Sequence, residues 1–140
     1  MSTKTENFRQ QHDEMFKLVG EIQSKLNKDA CEKEAAHISK TLTTLVGKLK
    51  IHLGTEDKFL YPTLLNGNDE QAKKIAQDFI KEMSGITQVV EQYFKAWMLP
   101  SNISKDPTQF IKQTQDLFSA LGKRIEKEHK DLYPLLDKTA

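Results

Sequence analysis

Apolar residues recur along this chain at alternating spacings of four and three, which return side chains to one face of an α-helix. Phe8, His12, Met15, Val19, Ile22 and Leu26 form one such seam, and Ile38, Leu42, Leu45, Leu49, His52, Glu56 and Phe59 a second. Ala72, Ile75, Phe79, Met83, Ile86, Val90 and Tyr93 make a third, and Phe110, Thr114, Leu117, Leu121, Arg124 and Glu128 a fourth. The stretches that carry them are rich in Lys, Glu, Gln and Leu, which favour helix, and no sustained β-branched alternation suggests a strand. Turn chemistry falls between the seams: "NKDACEK" at 27–33, "NGND" at 66–69 and "LPSNISKDP" at 99–107. In the last of these, Asp106 can cap a helix and Pro107 can take its first position. Long helices joined by short connections predict an all-α fold, an up-down-up-down antiparallel four-helix bundle forming one domain over residues 1–140. The hairpins 5–65 and 69–136 resemble each other, as a duplicated helix pair would.

Each seam is interrupted at one place. His12, then His52 with Glu56, Met83, and Arg124 with Glu128 occupy positions that the pattern assigns to the core. In an antiparallel bundle two residues share a level when the turn between them lies midway in sequence, because each residue climbs ~1.5 Å. The midpoints between 12 and 52, 52 and 83, and 83 and 124 all fall inside the turns, so the four positions share one layer. Two imidazoles and two carboxylates cannot sit unpaired in an apolar core, where an isolated carboxylate costs several kcal/mol. A divalent metal would satisfy them, and the mixed nitrogen and oxygen donor set suits iron, manganese or zinc better than calcium or magnesium. His37 and His129 lie beside the seams and are expected at the surface or its boundary. Tyr61 and Tyr133 follow their glutamates by five residues, about 140° off the seam at ~100° per residue, and are expected to serve as packing residues.

Composition narrows the function without naming it. Charged residues make up 29% of the 140, yet the net charge is only +1 and the lysines are dispersed, which argues against nucleic acid as a partner. No apolar run approaches the ~20 residues of a membrane span, and the polar start "MSTKTENFRQQHDEM" has no secretory pattern, so a cytoplasmic protein without a membrane association is expected. Cys31 is the single cysteine, in an expected loop, and excludes an internal disulfide. No Ser-His-Asp or Cys-His constellation and no phosphate-binding glycine loop is present, so metal-independent catalysis has little support.

The stretches "FRQQHDEMFKLV", "HLGTEDKFLYP" and "EHKDLYPLL" together resemble the hemerythrin-like family, also called HHE cation-binding domains. The resemblance covers nearly the whole chain. It implies a four-helix bundle around a non-haem di-iron centre, with His12 and His52 matching histidines of one iron and Glu56 and Glu128 matching the bridging carboxylates. The second iron's histidines would stand where this chain has Met83 and Arg124, which marks these as vacated second-metal positions. The intact half, His12, His52, Glu56 and Glu128, suffices for a mononuclear iron site. Its implied role is to bind or sense a small diatomic ligand (dioxygen or nitric oxide) or peroxide, or to handle iron, with oxidase or peroxidase use of the metal a further option. The competing expectation is a metal-free bundle serving as a regulatory or interaction module, in which Arg124 offers Glu56 and Glu128 the positive charge of the missing metal.

Overall fold

The computed structural model describes residues 5–138, apart from the side chains of residues 83 and 84. The expected position of Met83 on the inner seam therefore concerns a side chain outside the described residues. Every described element is helical: α1 (Glu6–Gln23), α2 (Lys28–Lys33), α3 (Ala35–Thr55), a π-helical turn (Glu56–Leu60), α4 (Tyr61–Leu65), α5 (Glu70–Trp97), α6 (Pro100–Lys105), α7 (Pro107–Lys127), a second π-helical turn (Glu128–Leu132) and α8 (Tyr133–Asp137). Because α3 runs through its π turn into α4, and α7 through its own into α8, there are four long rods, the expected bundle. Two of the expected loops contain short helices, α2 and α6, which pack on each other across one end.

Local chemistry accounts for the helix starts. Asp69 accepts hydrogen bonds from the backbone N–H groups of Gln71 and Ala72 at the start of α5, and Asp106 accepts one from Gln109 at the start of α7, where Pro107 holds the first turn. The Asn27 side chain does the same for Ala30 and nucleates α2 within the first connection. Cys31 is consequently not on a loop but on α2; it is fully buried, with its thiol directed at the Lys25 carbonyl.

The four seams face inward as the pattern requires, with one systematic exception. Phe59, expected inside, is 64% exposed, and Leu60 is completely buried in its place. The cause is the π turn, whose wider winding brings residue i+5 rather than i+4 over residue i, so the inward face advances by one position. Proline provides a physical reason for both turns. Pro62 and Pro134 cannot donate the next helical hydrogen bond, and in a regular helix their rings would strike the carbonyls of Lys58 and Lys130; a local widening relieves that contact.

The core is split into two apolar clusters. One holds Met15, Leu49, Leu121 and their neighbours toward α2 and α6; the other holds Phe8, Leu60, Tyr61, Phe79, Leu132 and Tyr133 toward the opposite end. His12, His52, Glu56, Arg124 and Glu128 lie along the rods between these clusters, all buried, and form the polar layer that the midpoints locate.

Candidate metal centre

Three elements supply the centre: α1 contributes His12, the end of α3 contributes His52 with Glu56 one turn later, and the end of α7 leads into Glu128. His12 Nε2 lies 2.9 Å from His52 Nε2 and 3.2 Å from Glu128 Oε2. His52 Nε2 is 2.9 Å from Glu56 Oε1 and 3.8 Å from Glu128 Oε2. Ligand atoms of His12, His52 and Glu128 all fall within 4.8 Å of one another, and all three residues are buried. Glu56 Oε1 is fully buried, and among the described residues its one prospective donor is His52 Nε2 at 2.9 Å, so it is unsatisfied whenever that nitrogen carries no proton. An acceptor left this way in a dry layer is unfavourable by roughly 1–3 kcal/mol, and more if charged. The donor set therefore fits one divalent transition metal: two imidazoles, a carboxylate in reach, and a second carboxylate with an unengaged oxygen.

The layer's electrostatics reflect close packing of opposite charges. Burial resists a charge on His52, but hydrogen bonds to Glu128 and Glu56 and their negative field outweigh it, raising the imidazole to about 9. His12 goes the other way: burial is the main cause, the neighbouring His52 adds to it, and the Glu128 hydrogen bond only partly opposes. Burial also works against ionised Glu128, yet hydrogen bonds from His12 and His52 hold it well below the usual carboxylate range. Burial is likewise the principal cause of the upward shift at Glu56, reinforced by the charge of Glu128. The two carboxylates are thus unequal, with Glu128 the ionised member.

Two expectations are corrected by the geometry, and a third is extended. Tyr133 is not only a packing residue. Its hydroxyl donates to Glu128 Oε2 at 3.1 Å and Glu56 Oε2 at 3.4 Å, and stands 3.2 Å from His12 Nε2. The π turn explains it, because the Tyr133 N–H bonds to the Glu128 carbonyl five residues back and the tyrosine returns to the glutamate's face. Tyr61 is carried inward by the matching turn, where its buried hydroxyl feels the charge of Arg124 but has no well-formed hydrogen bond among the described residues.

His129 is half-buried, at the boundary where it was expected, but it also touches the centre, with Nε2 2.7 Å from His12 Nδ1 and Nδ1 2.9 Å from Arg9 Nη1. His37, by contrast, is exposed as expected. Gln11 is a further contact that the seams did not reveal, accepting from His52 Nδ1 at 2.7 Å.

Arg124 is the second correction. It is buried at 5% exposure, but its guanidinium does not bridge the two glutamates. Nη2 donates to the Phe79 carbonyl at 2.8 Å, Nη1 pairs with Glu82, and the group lies over the Phe79 ring at 4.0 Å. Only Nε approaches the centre, at 3.8 Å from Glu128 Oε1, too far for a hydrogen bond. Glu82 is the partner that sequence reasoning missed, since it is half-exposed and lies off the seam.

Compared with protein families, residues 3–136 match the model of the hemerythrin HHE cation binding domain. No curated protein and no solved structure gives a significant match.

Proposed function

Since this chain belongs to the hemerythrin HHE cation-binding domain family, we propose that it binds a single iron ion through His12, His52, Glu56 and Glu128 and uses it to bind or sense a small diatomic molecule. The observation that carries the reading is the orientation of Arg124. Its two terminal nitrogens are engaged by α5, so the carboxylates of Glu56 and Glu128 are not occupied by the guanidinium. A metal-free module held together by Arg124 across both glutamates would need the opposite arrangement. Bound iron would supply Lewis acidity, a redox couple and an open position for a small ligand.

The chain's own residues set what can happen there. Glu128, held ionised, and His52 beside it provide a site whose protons a cation displaces. The Tyr133 hydroxyl fixes both carboxylates from one side. A cavity of about 10 Å³ also reaches the layer, between Met15, Leu49, Ile86 and Ile125 and the polar His52, Arg124 and Glu128. A space on the order of one water-sized sphere, apolar on one face and polar on the other, limits any guest to a molecule of a few atoms. Elemental analysis of protein purified from iron-replete cells is expected to find close to one ion per chain, falling sharply in His52→Ala. Two irons per chain, or none, would overturn the proposal.

A further inference from the structure

Outside the metal layer, a cleft of about 340 Å³ opens between α5 and the rod that runs from α7 into α8, at the end of the bundle that holds the second apolar cluster. Ile75 and Phe79 from α5 and Pro134 and Leu135 from α8 give it apolar walls. Phe79 is its buried inner end, and Arg124 holds that ring in place by lying over it at 4.0 Å. Ligand clefts run from roughly 300 to 1,000 Å³, so this one suits a small guest.

Charges of both signs line the same cleft without meeting. Asp78 on α5 and Lys130, Asp131 and Lys138 on the facing rod are exposed, and none of the four has an ion-pair partner among the described residues. Lys127, the remaining cation of the rim, is already engaged, with Nζ 3.4 Å from Glu82 and 5.3 Å from the centre of the Phe79 ring. Two ammonium groups and two carboxylates are therefore left to face whatever enters. An anion would satisfy the lysines but repel the aspartates, a cation would do the reverse, and a purely apolar guest would strip water from all four without replacing it. Only a guest with both charges at one end and an apolar body answers every group. Lys130 and Asp131 are neighbours in sequence, so the two signs are offered side by side, as the two groups on one carbon require.

We propose that this cleft binds a free α-amino acid with an apolar side chain. Lys130 and Lys138 take its carboxylate, Asp78 and Asp131 its ammonium, and the side chain rests against Ile75, Phe79, Pro134 and Leu135. None of these residues is a ligand of the metal layer, so binding requires no metal and is tested with chelator present.

NMR titration of the amide groups with L-leucine is expected to give saturable shifts centred on residues 75–79 and 130–138. Two analogues each lack one charge: 4-methylpentanoate has no ammonium and 3-methylbutylamine no carboxylate. Each should bind about fivefold more weakly than leucine, the loss of one partly exposed ion pair. Asp78→Asn should weaken leucine by about the same factor and leave 4-methylpentanoate unchanged, while Lys138→Gln should weaken leucine and leave 3-methylbutylamine unchanged. Leucine that produces no saturable shifts, or shifts centred elsewhere, overturns the proposal. So does either analogue binding as tightly as leucine, since the cleft would then read only one charge. The analogues are compared on the unaltered chain, which decides the matter even where a variant does not fold.

Discussion

Tyr61 and Tyr133 occupy equivalent places after the two π turns, but their hydroxyls differ in what they meet. The Tyr133 hydroxyl has three polar neighbours in the layer, whereas the Tyr61 hydroxyl, near Arg124, has no well-formed hydrogen bond among the described residues. Removing a bonded hydroxyl leaves carboxylate oxygens short of a donor, whereas removing an unbonded one relieves a buried polar group. Tyr133→Phe is therefore expected to cost about 1–3 kcal/mol in metal-free protein and Tyr61→Phe close to nothing, as read from urea midpoints with chelator present. Equal losses would show that the two hydroxyls have similar surroundings. Arg124 can be tested in the same way. Arg124→Ala would leave the Phe79 carbonyl without its donor and remove the guanidinium from the Phe79 ring, a loss of about 2–4 kcal/mol. Glu82→Ala removes only a half-exposed partner and should cost under about 1 kcal/mol. Were Glu82→Ala as costly as Arg124→Ala, the ion pair rather than the buried end of Arg124 would be holding α5 to α7.

At the scale of an element, each π turn behaves as one residue too many in an otherwise regular helix. Glu56 and Tyr61 face the core on either side of it, and the intervening Lys58 is exposed. Deleting Lys58 would restore a four-residue step between glutamate and tyrosine and keep both inward, but would leave Pro62 inside a regular helix, at a cost of ~3 kcal/mol. The deletion combined with Pro62→Ala is accordingly expected to fold cooperatively and to be more stable than the deletion alone. Deleting the equally exposed Lys50, in the regular part of α3, has no such remedy, because it turns His52 and everything after it by about 100° relative to the preceding seam. Circular dichroism melts of the three variants distinguish these outcomes, and a Lys58 deletion as damaging as that of Lys50 would refute the register argument.

The whole molecule is a pair of apolar clusters separated by a charged layer, so in the absence of metal its stability should depend on pH. His52 is raised from 6.5 to about 9 in the folded chain. Its contribution is fully present below pH ~6.5 and is lost as pH rises through about 9, on the order of 3 kcal/mol over that window. Glu128, shifted down, acts with the opposite sign: its contribution is present above the unfolded carboxylate value of ~4.3 and is lost as pH falls toward its folded pKa. Chelated protein should thus lose stability toward alkaline pH through the first window and toward acid through the second. In His52→Ala the loss through about pH 9 should disappear, leaving the part that the raised Glu56 carboxyl adds as pH rises through about 7. A slope through about pH 9 that persists in that variant would assign it to another group.

The four seams, the caps at Asp69 and Asp106, the level shared by residues 12, 52, 56, 124 and 128, and the HHE resemblance were all legible along the chain. Helical period and turn placement are local properties, and the level of a residue in an antiparallel bundle follows from counting. What the chain did not disclose lies beyond the seams. The π turns were written twice, as Glu-x4-Tyr-Pro, but a 3.6-residue period sends Tyr133 away from Glu128 and Phe59 inward. Only the wider turn, with Tyr133 and Leu60 on the inside, reverses both. The choice of Arg124 between Glu128 and the Phe79–Glu82 segment, and the chain from Arg9 through His129 to His12, depend on the lateral distances between helices. A charged side chain can reach several partners in different directions, and which it meets is decided by a few ångströms of packing that no spacing along a single helix encodes.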